Sequence, residues 1–135
     1  MTIGRGRPWP LVALAGVVAG AWLSRAARGW LDVVEVQGRS MAPTLLPGDR
    51  LLVERLTYRR HPPRAGDVVL AFDPRTPERE LIKRVHAAGP HLDLRGDAPD
   101  ASTDSRAFGA LPRSAVQWRA AFRYWPPDRI GGLRR

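Results

Sequence analysis

A single lysine, Lys83, stands among 21 arginines in this chain. An arginine stays protonated at any ordinary pH, whereas a buried lysine can lose its proton and act as a base. In Glu80-Leu81-Ile82-Lys83-Arg84-Val85, strand alternation puts Lys83 on one face with Leu81 and Val85, between two apolar neighbours that would desolvate it. Such an amine can take the proton of a nearby hydroxyl, the Ser-Lys form of serine catalysis. A place that suits a nucleophilic hydroxyl is Ser40, in Gln37-Gly38-Arg39-Ser40-Met41-Ala42-Pro43, where an extended run gives way to a turn. Gly38 allows close backbone approach there, and Pro43 fixes the turn beyond the serine. Each residue also has an ordinary reading: Ser40 as the cap of a short helix, and Lys83 as the one lysine left in an arginine-rich composition. His61, His86 and His91 offer neither an oriented base for Ser40 nor a recognised metal-ligand spacing.

The elements that must position these groups are short. Beyond residue 30, apolar runs at 33–36, 50–54, 67–72, 81–86, 91–94 and 115–124 read as strands. Turn chemistry separates them at Pro47-Gly48-Asp49, Ala65-Gly66-Asp67 and Gly96-Asp97, and segments 57–64 and 73–79 read as exposed loops. A mainly β domain over 31–135 is expected, large enough for one modest core.

Ahead of it, residues 8–24 carry no charge and are flanked by Arg5, Arg7, Arg25 and Arg28. As a helix this stretch would reach about 25 Å, the short end of a membrane span. Trp9, Trp22 and Trp30 lie at or beyond its ends, as interfacial indoles do. Residues 1–30 are therefore expected to form a single-pass membrane anchor in contact with lipid. A cleaved signal peptide and a buried core helix are the competing readings. The flanking arginines are balanced, and the terminal amine tips the N-terminus inward, which puts the domain on the extracytoplasmic side.

The 22 basic and 13 acidic side chains give a net charge of +9, and there is no cysteine. Disulfides, thiolate metal sites and cysteine nucleophiles are thereby excluded. The positive charge suits an anionic partner, which makes a membrane-tethered basic binding module the non-enzymatic alternative. The arginines are scattered and no nucleic-acid-binding motif appears, so nucleic acid is not expected as a partner.

Three segments carry a family resemblance. GRSMAPTLLPGDRLLVER is similar to the nucleophile box of the type I signal peptidases, IKRVHAAGP to their lysine box, and RGDAPDASTDSRAFGALP to their third box, in the family's order. The short build and the ending RAAFRYWPPDR resemble most closely the small actinobacterial peptidases assigned to maturation of nickel-type superoxide dismutase.

The resemblance implies the compact β fold shared by signal peptidases and self-cleaving repressors. It also implies cleavage of a precursor protein behind an N-terminal leader, with general signal peptidase action on exported preproteins as the alternative, and no metal or organic cofactor. Ser40 would be the acyl-forming nucleophile, Lys83 its general base, and Ser102 the serine that orients the lysine amine. Asp104, Ser105 and Arg106 would brace the site, and Met41 would pack beside the nucleophile on the substrate side. Gly38 stands where many members have a serine, so the oxyanion hole would rely on backbone amides, that of Ser40 first.

Overall fold

The computed structural model describes residues 29–133. Eight strands follow one another: β1 (Leu31–Glu35), β2 (Arg50–Glu54), β3 (Val68–Asp73), β4 (Thr76–Ala88), β5 (His91–Arg95), β6 (Leu111–Pro112), β7 (Val116–Trp125) and β8 (Gly131–Gly132). Two short helices interrupt them, α1 (Leu56–Arg60) and α2 (Ser105–Phe108). All the strands join one antiparallel sheet in the order β1-β2-β7-β3-β4-β5-β6, with β8 alongside β7.

The sheet buries apolar side chains on both faces, and β3 shows why. Its residues alternate between two clusters: Val68 and Leu70 join Val36, Met41, Leu45, Leu51 and Val53, while Val69 and Ala71 join Val85, Leu92, Leu94 and Leu111. A strand buried on both sides reads as a continuous apolar run, as Val-Val-Leu-Ala does. Each fully buried Leu or Val in these clusters contributes about 1.5–3 kcal/mol relative to exposure, so the sheet forms a stiff platform under the loops.

The expected mainly β architecture is what folds, with two local differences. The segment expected as a loop at 73–79 instead forms a tight hairpin, since β4 begins at Thr76 opposite Asp73. Asp73 stabilises that turn by accepting from the backbone N–H of Arg75 at 2.9 Å and from its guanidinium at 2.9 and 2.7 Å. In the other expected loop, 57–64, the first half is the helical turn α1. Glu54 accepts from the Thr57 N–H at 2.9 Å there and satisfies one of the free amides that open the helix. The glycines of two expected turns, Gly48 and Gly66, do adopt positive φ (90° and 91°).

No helix among the described residues is long and apolar enough to cross a membrane. The anchor expected at 8–24 lies outside them.

Candidate active site

Residues 36–49 connect β1 to β2 and carry Ser40. The connection closes at its neck, where the Val36 N–H donates to the Asp49 carbonyl and the Gly48 N–H to the Val36 carbonyl, both at 2.9 Å. Met41 and Leu45, buried to 1% and 0% exposure, plug it into the core. Ser40 follows a bend at Gly38–Arg39 and opens a run of turns, and no helix among the described residues starts there for it to cap.

Lys83 lies on β4 opposite Val69, and the alternation expected from sequence holds, with Leu81, Lys83 and Val85 buried and Glu80 and His86 exposed. Ser40 and Lys83 line the same cleft of about 580 Å³, together with Gly38, Met41, Leu81 and Ile82. Lys83 is only 3% exposed. Its Nζ donates to Ser102 Oγ at 3.0 Å. The Ser102 hydroxyl in turn donates to Asp104 Oδ2 at 2.6 Å.

Asp104 is the anchor of this chain of hydrogen bonds. Its carboxylate, 1% exposed, also accepts from the Gly96 N–H at 2.9 Å and from Arg106 Nε and Nη2 at 2.9 and 2.6 Å. It caps α2 as well, accepting from the Arg106 N–H at 3.2 Å. Burial alone would push this carboxyl up, but the bonds from Arg106, Ser102 and Gly96 outweigh it and hold the group well below the usual carboxylate range.

Burial pushes the Lys83 ammonium below its ordinary value of 10.5. The Asp104 carboxylate opposes that shift, and the guanidinium groups of Arg79, Arg106 and Arg75 add to it. A lysine so placed is closer to neutrality than any solvated one, and a neutral amine has a lone pair to offer a hydroxyl.

The residues singled out in the sequence thus divide into three sets. Ser40, Lys83, Gly38 and Met41 meet at the cleft, while Ser102, Asp104 and Arg106 support the amine from behind. Ser105 faces elsewhere, its Oγ accepting from the Leu94 N–H at 2.9 Å and tying α2 to β5. Met41 is foremost a core residue, packed among Val36, Leu45 and Leu51 beneath the cleft. At Gly38 no atom comes within 4 Å of where a Cβ would stand, so the close backbone approach expected of it is not made within the described residues. His61, His86 and His91 are exposed, and none lines the cleft.

Gly96 carries more than the turn read from sequence. A Cβ there would lie 2.3 Å from Ser102 Oγ and 2.4 Å from the Ser40 carbonyl oxygen, so only glycine lets these two segments converge. Two residues on, the Ala98 N–H donates to that same Ser40 carbonyl at 2.9 Å. The turn is held to β4 by a forked pair, Arg84 Nε and Nη2 to the Asp97 carboxylate, each at 2.8 Å. The remaining arm of Arg84 reaches the Gly66 and Leu133 carbonyls, both at 2.9 Å. Arg84 thus holds the turn at Asp97 while its strand neighbour Lys83 bonds to Ser102, five residues further on.

The antiparallel sheet thus sinks one lysine amine into a cleft that Ser40 also lines. Residues 11–92 match the family model described as signal peptidase, peptidase S26. The chain belongs to that family of serine-type signal peptidases. It is 38% identical over 128 residues to the mitochondrial ATP-independent inner membrane protease subunit 1a of Arabidopsis thaliana, covering 77% of this chain and 76% of the relative. It is 32% identical over 123 residues to the human mitochondrial inner membrane protease subunit 1, covering 76% and 74%. A Synechocystis protein named "Probable signal peptidase I-1" is 29% identical over 139 residues, covering 70% and 71%.

Proposed function

We propose that this chain is a membrane-bound endopeptidase that removes N-terminal leaders from precursor proteins with a Ser40–Lys83 dyad. The observation that carries the reading is the Lys83 amine, buried in the cleft that Ser40 lines and tethered to Ser102 at 3.0 Å. The membership and the names of the relatives, inner membrane proteases and a signal peptidase, support the precursor substrate and the membrane setting.

In the proposed reaction neutral Lys83 takes the Ser40 proton as Oγ attacks a peptide carbonyl extended along the cleft. The Ser40 N–H steadies the oxyanion, since Gly38 brings no hydroxyl to it. The resulting ammonium protonates the leaving amine, an acyl-enzyme forms, and a water deprotonated by the same lysine releases the product. Ser102 keeps the amine aimed, and Asp104 with Arg106 keeps Ser102 aimed. Residues 1–30 serve as the anchor and 31–135 as the peptidase domain, on the extracytoplasmic side.

Among leaders, that of a nickel-type superoxide dismutase precursor is the proposed substrate, on the likeness of the short build and the Arg-Tyr-Trp-Pro-Pro ending to the small peptidases assigned to that maturation. Leaders of exported preproteins are the alternative. Incubating the full-length protein with both kinds of precursor and sequencing the new N-termini separates them. Ser40→Ala and Lys83→Arg should each abolish cleavage in a folded protein, the second because it keeps the charge and removes the basicity. Activity retained in Lys83→Arg would refute the assigned base.

A further inference from the structure

The loop that carries Ser40 is gripped on its far side by two arginines from the other end of the chain. Asp49, 2% exposed in its side chain, sits inside the loop with its Oδ2 accepting from the Leu46 N–H at 2.9 Å. Arg129 Nη1 pairs with Asp49 Oδ1 at 2.8 Å, and its Nη2 donates to the Pro43 and Thr44 carbonyls, both at 3.3 Å. Arg123 Nη1 donates to the Thr44 carbonyl at 2.6 Å and reaches Asp49 Oδ2 at 3.4 Å, while its Nε donates to the Arg129 carbonyl and so links the two arginines.

The carbonyl contacts fall three and four residues past Ser40, on a loop also fixed at its neck, by the buried Met41 and Leu45, and by Ala98 at the Ser40 carbonyl. The buried Leu45 holds this stretch to the core, and the arginines add directed bonds to the Pro43 and Thr44 carbonyls just after the serine. A guanidinium fork is suited to this work, because it binds a carboxylate and backbone carbonyls at fixed angles where an ammonium would act as a point charge.

We infer that Arg129, with Arg123 and Asp49, is a positioning residue for the Ser40 hydroxyl: the C-terminal segment sets the attack geometry at a site it does not touch. The inference rests on Ser40 being the nucleophile. It predicts an effect on the attack step, because the groups that chiefly shift Lys83 are its burial, Asp104, Arg79, Arg106 and Arg75.

The test uses the full-length protein in detergent and an internally quenched peptide spanning the cleavage junction found by N-terminal sequencing, followed in single turnover from about pH 7 to 10. Arg129→Ala should lower the plateau rate of acyl-enzyme formation by about 10- to 100-fold, the scale on which small misplacements of a reacting group act. KM and the midpoint of the pH profile should stay as in the wild type. Free guanidinium at tens of millimolar should restore part of the rate to Arg129→Ala and none to Ser40→Ala, and Arg129→Lys should fall between the wild type and Arg129→Ala.

A wild-type plateau in folded Arg129→Ala overturns the proposal, and so does a rate loss accompanied by a shifted midpoint. If Arg129→Ala does not fold, Arg129→Gln carries the same test. Failure of both to fold assigns the cluster to stability alone and also overturns it. Cleavage that survives Ser40→Ala would instead sink the dyad, so the two failures are distinguishable.

Discussion

Ser102 Oγ donates its only proton to Asp104 Oδ2 at 2.6 Å, which leaves that oxygen able only to accept from Lys83 Nζ. The direction of the hydrogen bond fixes one N–H of the amine toward Ser102. The nitrogen lone pair of the neutral form is then free to point into the cleft.

Asp104→Asn tests this ordering, because it changes two quantities separately. The carboxylate raises the Lys83 pKa, so its removal should shift the acid limb of the rate profile to lower pH. The amide is a weaker acceptor for Ser102, so the plateau should fall by about tenfold. A pH–rate profile of the purified variant reads both, and a limb that moves to higher pH would contradict the sign.

Arg79→Glu acts on the same amine from the other side. Arg79 lines the cleft, and its charge helps depress the lysine. Reversing it should move the acid limb to higher pH, and high salt should shrink the difference. Profiles at low and high ionic strength provide the measurement.

Lys83→Met should stabilise the protein at neutral pH while abolishing activity. The folded-state pKa is depressed below 10.5, so between the two values the unfolded chain binds more protons and wild-type stability rises with pH. Below that window the wild type carries the full penalty of a buried ammonium. Methionine removes it, so Tm at neutral pH should rise by about 2–5 °C and the gain should vanish as pH approaches 10.5. Melting curves across pH decide it.

Gly96→Ala should damage site and fold together. Its Cβ would stand 2.3 Å from Ser102 Oγ and 2.4 Å from the backbone oxygen of Ser40, and the second of these cannot swing aside. A cost of about 1–3 kcal/mol in urea unfolding and a loss of activity larger than stability alone explains are expected. By contrast Gly38→Ala, with open space around it, should fold as the wild type does.

What could be read from the chain depended on period and locality. The alternation around Lys83 and the apolar Val68-Val69-Leu70-Ala71 run declare themselves because neighbouring residues share one environment. The first part of β4 does not, because 76–80 is exposed on both faces, so no period-2 signal survives and its charges and its proline read as loop. β6 and β8 are two residues each, too short for any pattern. At the site, residue types and spacing pointed to Ser40 and Lys83, and the family likeness added the Asp104 group. Gly96 read only as a turn, since its neighbours Ser40 and Ser102 are distant in sequence. Asp49 and Arg129 lie 80 residues apart, and nothing local to either one announces the other.

The position of β7 has a consequence for how such an enzyme is born. This late strand lies between β2 and β3, so among the described strands the hairpin flanking Ser40 and the meander carrying Lys83 join the sheet through β7 alone. A chain cut short before β7 would keep the Ala98 bond to the Ser40 carbonyl but lose that seam, and on the proposed dyad it should be inert.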